Sequence, residues 1–489
     1  MTINEFDKDL RSIQQARRLV ERCRQAQREF VSMSSSQVDK ICEAMADAAY
    51  EESERLGLMA HEETKYGNPN DKKLKNQHAS KGVWESIRGL KTAGIIARDD
   101  VKKVVTIAEP MGVIAALTPS TNPTSTAIFK SLIAIKARNG IVISPHPSAA
   151  KSTAEAVRVI HEAAVNAGAP EGLIACMEEP TLAGTDEIMK HYAVNVILAT
   201  GGGPMVRAAH SVGKPAYGVG PGNVPVWVDR SVDIAKVAKD LVASKSFDCS
   251  LICATEQTVV ADIEIASQLR SHMEELGAFW LDEQQSDLIA KILFNPDGSM
   301  NAKNVGKTAK YLAELIGIQV PNHTKILVSP LKGIGKEYPL SHEKLTSVMG
   351  FMIAANEKEG LELCHAILKY GGDGHTAVIH SKDEEQVERM ALVLPAFRIV
   401  VNSMSTLGSV GYTSGLMPSF TLGTGGIGGA ISGDNITVNH LINYKRIGWE
   451  LKSIHPENEI HSEKTVSSST IDEIVRQVLQ RLQSTSKVS

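Results

Sequence analysis

The chain has no apolar run approaching the roughly 18 residues that a bilayer-spanning helix needs, no long basic run and no paired cysteine framework. The first absence argues against a membrane protein. The second removes the electrostatic footprint of a nucleic-acid binder: Lys+Arg 52 against Asp+Glu 56 gives a net charge of -4, with both signs interspersed. Small molecules are therefore the expected partners. The six cysteines, Cys23, Cys42, Cys176, Cys249, Cys253 and Cys364, are scattered as in a reducing compartment. Cys249 and Cys253 form a C-x3-C pair, but neither a second pair nor a nearby histidine accompanies it, so no metal site is expected. Met1 to Leu10 is acidic and lacks the basic, apolar and small-residue zones of a signal peptide, and the expected location is the cytoplasm.

What is present is a chain of 489 residues, 43% of them hydrophobic, enough for two or three packed domains. Apolar residues at helical spacing, Leu10, Ile13, Leu19, Val20, Cys23 and Phe30, then Val38, Ile41, Met45 and Ala48, predict a helical N-terminal part. Short β-rich runs follow at Gly112–Leu117, Ile141–Ser144, Val194–Ala199 and Val224–Val228, separated by amphipathic stretches such as Ser152–Ala167. The same alternation restarts after Cys253, with strands expected at Thr258–Val260, Lys325–Val328, Ala377–Ile379 and Arg398–Val401. That grammar predicts an α/β fold with parallel sheets. Gly423–Gly433 reads as a glycine-rich loop, and 452–468 as a polar linker. Beyond it Ile471, Ile474, Val475, Val478, Leu479 and Leu482 line one face of a helix over 469–484, a stripe that needs a partner.

Four segments carry chemistry. Cys253, in Phe247-Asp248-Cys249-Ser250-Leu251-Ile252-Cys253-Ala254-Thr255-Glu256-Gln257, stands in a short turn ahead of a β-branched run. There backbone N–H groups and a cofactor's positive charge would lower a thiol pKa and make a nucleophile; the alternative is a small buried filler. Asn122 follows the strand ending at Leu117, where an α/β sheet places ligands, and its amide suits an oxyanion; an Asn before Pro is otherwise an ordinary turn residue. Thr200-Gly201-Gly202-Gly203 follows a strand and opens a helix, a geometry that brings N–H groups to a phosphate. Gly218-Val219-Gly220-Pro221-Gly222-Asn223 and Gly371-Gly372-Asp373-Gly374-His375-Thr376 each precede a strand.

In their order, Thr121-Asn122-Pro123-Thr124-Ser125-Thr126-Ala127, Ser144-Pro145-His146-Pro147, Ala199-Thr200-Gly201-Gly202, Gly218 to Asn223, Ile252-Cys253-Ala254-Thr255-Glu256-Gln257 and Gly374-His375-Thr376 resemble the coenzyme-A-acylating branch of the aldehyde dehydrogenase superfamily. The similarity is to the aldehyde dehydrogenase half of bifunctional alcohol/aldehyde dehydrogenases, over about Asp39 to Trp449. It implies a Rossmann-type cofactor domain over 1–240, with 430–450 returning to it or to an oligomer interface, and an α/β catalytic thiol domain over 241–429. It implies Cys253 as nucleophile, Asn122 as oxyanion donor and His375 as a participant in thiol transfer. Ser144, His146 and Pro147 would lie beside the adenosine ribose of NAD, Thr200, Gly201 and Gly202 near the nicotinamide or pyrophosphate, and Glu343 near the nicotinamide ribose. A lysine is common where this chain has His146, which keeps NADP open as the alternative cofactor. Hydrolytic relatives carry a glutamate base in a Glu-Leu-Gly-Gly motif where this chain reads Gly218-Val219-Gly220-Pro221, so coenzyme A, not water, is the acceptor implied. Glu256 is expected to be structural, and Cys249 a filler. The implied substrate is a short aldehyde, such as acetaldehyde, propionaldehyde or sulfoacetaldehyde, and the family usually forms homodimers or homotetramers. The terminal helix resembles peptides that carry enzymes into bacterial microcompartments by docking on shell protein; oligomerisation is its other use. Competing readings are a hydrolytic aldehyde dehydrogenase or acyl-phosphate reductase on the same fold and a non-catalytic scaffold.

Overall fold

Runs such as Val113–Thr118, Gly140–Pro145 and Val224–Val228 are buried at every position, and this is why they read as continuous apolar stretches: parallel strands covered on both faces have no solvent side on which to alternate. A computed structural model describes residues 7–452 and 468–485. The strands in chain order are β1 Gly94–Asp99, β2 Val104–Pro110, β3 Val113–Thr118, β4 Gly140–Pro145, β5 Ile174–Cys176, β6 Val194–Thr200, β7 Ala216–Val219, β8 Val224–Val228, β9 Glu256–Asp262, β10 Ala278–Trp280, β11 Ile326–Pro330, β12 Val348–Ala354, β13 Ala377–His380, β14 Ile399–Val401 and β15 Ile442–Gly448.

The chain divides into two compact units. The larger, up to Gly94 and from Ala108 to Asn443, holds a five-stranded sheet of order β5-β4-β3-β6-β7 and a seven-stranded sheet of order β10-β11-β12-β9-β8-β13-β14, both parallel. The smaller comprises Ile95–Ile107 and the chain from Tyr444, and includes most of the sheet β1-β2-β15 and the helix Ser468–Thr485. That helix exposes Ile471, Ile474, Val475, Val478 and Leu479 by about half each. The linker expected over 452–468 falls at 453–467 outside the described residues.

One reading is corrected. The sheets change between β7 and β8, at Gly220–Asn223, ahead of the boundary expected at residue 240: β8 pairs with β9 and β13, so it belongs with the strands that follow it. Strand spacing cannot reveal this, because both sheets are parallel and buried. In the helix Lys8–Phe30 the buried face is Ser12, Ala16, Val20, Cys23, Ala26 and Phe30, while Leu10 is exposed. Small residues face inward because the helix lies close on β4, where a side chain at Gly140 would meet Cys23 Sγ at 2.5 Å.

Candidate active site

Asn122 follows β3, Ser144 to Pro147 end β4, and Thr200 to Gly202 end β6, so all lie along the carboxyl edge of the five-stranded sheet with β3 at its centre. The segments holding Gly222, Cys253, Glu343 and His375 precede β8, β9, β12 and β13, which are adjacent strands of the seven-stranded sheet. Hydrogen bonds join the two sets: Asn122 Nδ2 donates to the Leu251 carbonyl (3.0 Å), and the hydroxyls of Thr200 and Thr421 meet at 3.1 Å.

The turn that delivers Cys253, the expected nucleophile, begins where the helix Ile234–Ser246 stops. Asp248, Cys249 and Ser250 then follow with φ of 45°, 52° and 63°, three left-handed non-glycine residues in a row. Each costs roughly 1–2 kcal/mol, so surrounding structure must impose the turn. Two buried groups do so. The Asp248 carboxylate accepts from the Asn68 N–H (2.6 Å), from Lys72 Nζ (3.1 Å) and from Lys75 Nζ, while its own N–H donates to Asp71 (2.7 Å). Lys245 Nζ donates to Ser250 Oγ (2.9 Å), Gln257 Oε1 (3.0 Å) and the Lys344 carbonyl (3.1 Å). Lys72 also donates to the Thr121 carbonyl and Lys75 to Asn122 Oδ1, so one cluster sets both the nucleophile turn and the amide beside it. Burial draws the Lys75 pKa down to about 8.

Cys253 Sγ and His375 Nε2 lie 3.2 Å apart. The close approach needs glycine twice. A Cβ on Gly222 would stand 2.2 Å from the Cys253 carbonyl oxygen and 3.1 Å from the His375 ring, and Gly374, at φ +77°, would meet the Thr424 carbonyl oxygen at 1.8 Å. Burial, reinforced by Glu343, pushes the Cys253 thiol up to about 12, although Arg398 and the N–H groups of Cys253 and Ala254 pull it down. Burial and Arg398 bring His375 down to about 3. The free protein therefore holds a thiol beside a neutral imidazole. Without the cofactor's charge the N–H groups do not lower the thiol pKa: they are in position, but the cost of burying a thiolate outweighs them. A thiol is neutral below its pKa, so alkylation of Cys253 by iodoacetamide without cofactor is expected to climb about tenfold per pH unit through pH 7–10. Mass spectrometry of the Cys253 peptide measures this; a plateau below pH 9 would contradict it.

Both Asn122 amide hydrogens have partners, the Leu251 carbonyl and Thr121 Oγ1 at 3.2 Å, so an oxyanion must displace the second, longer bond. Glu256 is locked: it accepts from the Ser405 N–H (2.6 Å) and from the Ser244 hydroxyl, and burial raises it to about 7. It anchors β9 and is not free to act as a base. Cys249 is buried in the left-handed run, its thiol held up to about 11.

The residues expected to hold a dinucleotide gather at the ends of β4 and β6. Ser144 Oγ bonds Thr185 Oγ1 (2.7 Å) at the end of β4, and His146 and Pro147 are exposed beside it. Gly202 caps the helix Gly203–His210 without a side-chain hydrogen bond; Pro204 has no N–H and those of Met205 and Val206 donate to the Gly202 carbonyl, so in the first turn the Gly203 N–H is the one left to a ligand. At the end of β3, between these segments, the buried Thr118 hydroxyl has no partner among the described residues. Glu343 is buried, with Oε1 accepting from the Gly222 N–H (2.8 Å) and its carboxyl raised to about 7.

Sequence reasoning missed Lys72, Lys75, Asp248, Lys245 and Arg398. The two lysines sit on the helix Pro69–Gln77, whose composition reads as a solvated face, and nothing local signals a carboxylate more than 170 positions away.

The aldehyde dehydrogenase family matches residues 9–278. The aldehyde-alcohol dehydrogenase of Streptococcus pneumoniae is 40% identical over 82% of this chain and 46% of its own length, so the chain spans about half of that relative. An acetylating aldehyde dehydrogenase from Geobacillus thermoglucosidasius is 49% identical, with a TM-score of 0.90 over 92% of this chain and 99% of that one. Two propionaldehyde dehydrogenases share a TM-score of 0.80 over 89% of this chain and 97% of theirs. One, 30% identical, comes from the Clostridium phytofermentans fucose utilisation bacterial microcompartment; the other, 28% identical, from Rhodopseudomonas palustris, carries bound CoA and an acylated cysteine.

Proposed function

The chain belongs to the aldehyde dehydrogenase family, and from that we propose that it is an NAD-dependent, CoA-acylating enzyme that converts a short aldehyde and coenzyme A reversibly to acyl-CoA. The observation that carries this reading is the pair Cys253 Sγ and His375 Nε2 at 3.2 Å. Cys253 loses its proton to solvent and attacks the aldehyde carbonyl carbon as the thiolate, forming a thiohemiacetal. Its oxyanion is held by the N–H groups at Cys253 and by the Asn122 amide once that has released Thr121. When bound, the nicotinamide supplies the hydride acceptor that leaves a thioester on Cys253. The thiol of coenzyme A attacks this thioester, the bond between the acyl carbon and the Cys253 sulfur breaks, and the coenzyme A proton ends on that sulfur, giving acyl-CoA and the Cys253 thiol, with His375 as the sulfur's hydrogen-bond partner. Ser144, His146, Pro147, Thr200, Gly201 and Gly202 hold the dinucleotide, and Glu343 its nicotinamide ribose. An exposed His146 in place of lysine keeps NADP as the alternative.

A second reading rests on Glu343, a carboxylate close enough to raise the Cys253 pKa and itself near neutrality, which suits a base for water and hence a hydrolytic enzyme. Purified protein with NAD, acetaldehyde and coenzyme A, each omitted in turn, separates the two. NADH that requires coenzyme A, with stoichiometric acyl-CoA, is expected; NADH without it, with free acid, would favour Glu343 as base.

The proposal extends to the tail. The apolar face of the helix Ser468–Thr485 docks the enzyme on a microcompartment shell in the cytoplasm, and the subunits assemble as homodimers or homotetramers. The half-exposed Ile471, Ile474, Val475, Val478 and Leu479, and the microcompartment origin of one similar structure, support this reading of the helix.

A further inference from the structure

Behind the Cys253–His375 pair lies a chain of polar groups with a direction. Thr376 Oγ1 is 2.9 Å from His375 Nδ1, and Arg398 Nη1 donates to the same hydroxyl oxygen at 3.3 Å. Arg398 also donates to the His375 carbonyl (3.0 Å) and, through Nε, to Asn435 Oδ1 (2.6 Å), so its fork is fixed. Thr376 is fully buried. A hydroxyl has one hydrogen to give, and a guanidinium can only donate. Among the described residues His375 Nδ1 is therefore the sole acceptor for the Thr376 hydrogen. Were Nδ1 to carry a proton and donate to Thr376, the buried hydroxyl hydrogen would have nowhere to go, a state that folded proteins avoid. Accepting from the Arg398 cation also strengthens the hydroxyl as a donor.

We propose that Thr376 and Arg398 are positioning residues that hold His375 in its Nε2–H tautomer, so that it donates a hydrogen bond to the Cys253 sulfur instead of accepting the thiol proton. The arrangement inverts that of a Ser-His-Asp triad, in which a carboxylate accepts from Nδ1–H and leaves Nε2 to take the nucleophile's proton. Here the second nitrogen is satisfied by a donor, and the ring becomes a donor toward sulfur. It then favours the thiolate both before attack and when Cys253 leaves the thioester. This rests on the reading of Cys253 and His375 as the reacting pair.

The titratable and charged groups facing Cys253 are His375, Glu343 and Arg398; Arg398 also faces His375, and Asp434 faces Arg398. Because Glu343 and Arg398 remain in a Thr376 variant, the alkylation rate of Cys253 isolates the tautomer. Thr376→Val is expected to slow iodoacetamide alkylation of Cys253 by about tenfold at pH 9, and Thr376→Ser to keep the wild-type rate. If His375 instead accepts the thiol proton, Thr376→Val leaves the rate unchanged or raises it, and the proposal is overturned. In the wild type, with 15N-labelled histidine assigned by comparison with His375→Gln, Nε2 is expected to carry the proton; a protonated Nδ1 would overturn the proposal even if Thr376→Val does not fold. CoA-dependent NADH formation by the same wild-type preparation reports on the proposed reaction separately. Its absence, with the alkylation and nitrogen results as expected, would sink the acylating reading and leave the tautomer standing.

Discussion

Cys253→Ala is expected to lower kcat at least about 10⁴-fold, because the acyl group then has no sulfur to reside on and no other group can take that part. The other cysteines are not substitutes: Cys23, Cys42, Cys249 and Cys364 are buried, Cys176 ends β5 at the edge of the five-stranded sheet, and Cys253 is the one held 3.2 Å from His375. The fold should be unaffected, since Cys253 is only half-buried and sits at the edge of its apolar cluster. Steady-state NADH formation measures the loss. Intact-mass analysis after incubation with aldehyde and NAD, without coenzyme A, should show an acyl adduct on the wild type and none on the variant. Turnover within tenfold of the wild type would remove Cys253 from the mechanism and revive the reading of the chain as something other than a thiol enzyme.

Asp248→Asn is expected to destabilise the protein by about 3–5 kcal/mol, the usual penalty for taking one partner from a buried ion pair. Two ammonium groups, on Lys72 and Lys75, converge on Asp248 Oδ2, and all three side chains are buried. Asparagine is the informative replacement because it tolerates a left-handed backbone as well as aspartate does, so the turn is preserved and the charge alone is lost. Chemical denaturation at pH 7 measures the deficit. The sign with pH follows from Lys75, whose folded-state pKa, about 8, lies below its ordinary value. Above that pH the lysine sheds its proton in the folded state, the wild-type ion pair weakens, and the gap between variant and wild type should narrow from pH 7 to pH 9.5. Because Lys75 also holds Asn122, kcat should fall together with stability. An unfolding midpoint unchanged at pH 7 would mean that the cluster does not support the nucleophile turn.

Much of the site is legible in one dimension because it occupies ends of strands. Asn122, Ser144, His146, Pro147 and Thr200 to Gly202 follow β3, β4 and β6, and Cys253, Glu343 and His375 precede β9, β12 and β13. A strand betrays itself by a short β-branched run, and Asn122, Thr200 to Gly202 and Cys253 are then candidates by position, whereas Ser144, His146, Pro147 and Glu343 are named by the family resemblance, and the strand after Glu343 is not among those the pattern predicts. The buried supports are not legible in this way. Lys72, Lys75 and Lys245 are polar side chains in helical segments, and only their partners reveal them. Arg398 opens an apolar run, and nothing adjacent indicates that it reaches His375 and Thr376.

By itself the sequence determined the α/β class and the order of the segments at strand ends, and made Cys253 the candidate thiol, because these depend on local periodicity and on residue types at turns. The tertiary structure decided the rest. It assigned β8 to the second sheet, set the inward face of the helix Lys8–Phe30, and gave Cys253 neighbours that raise its thiol pKa in the protein without cofactor. It also aimed Thr376 and Arg398 at His375. The common reason is that strand pairing, burial and hydrogen-bond direction depend on which distant segments meet, and a pKa depends on how much water they leave behind.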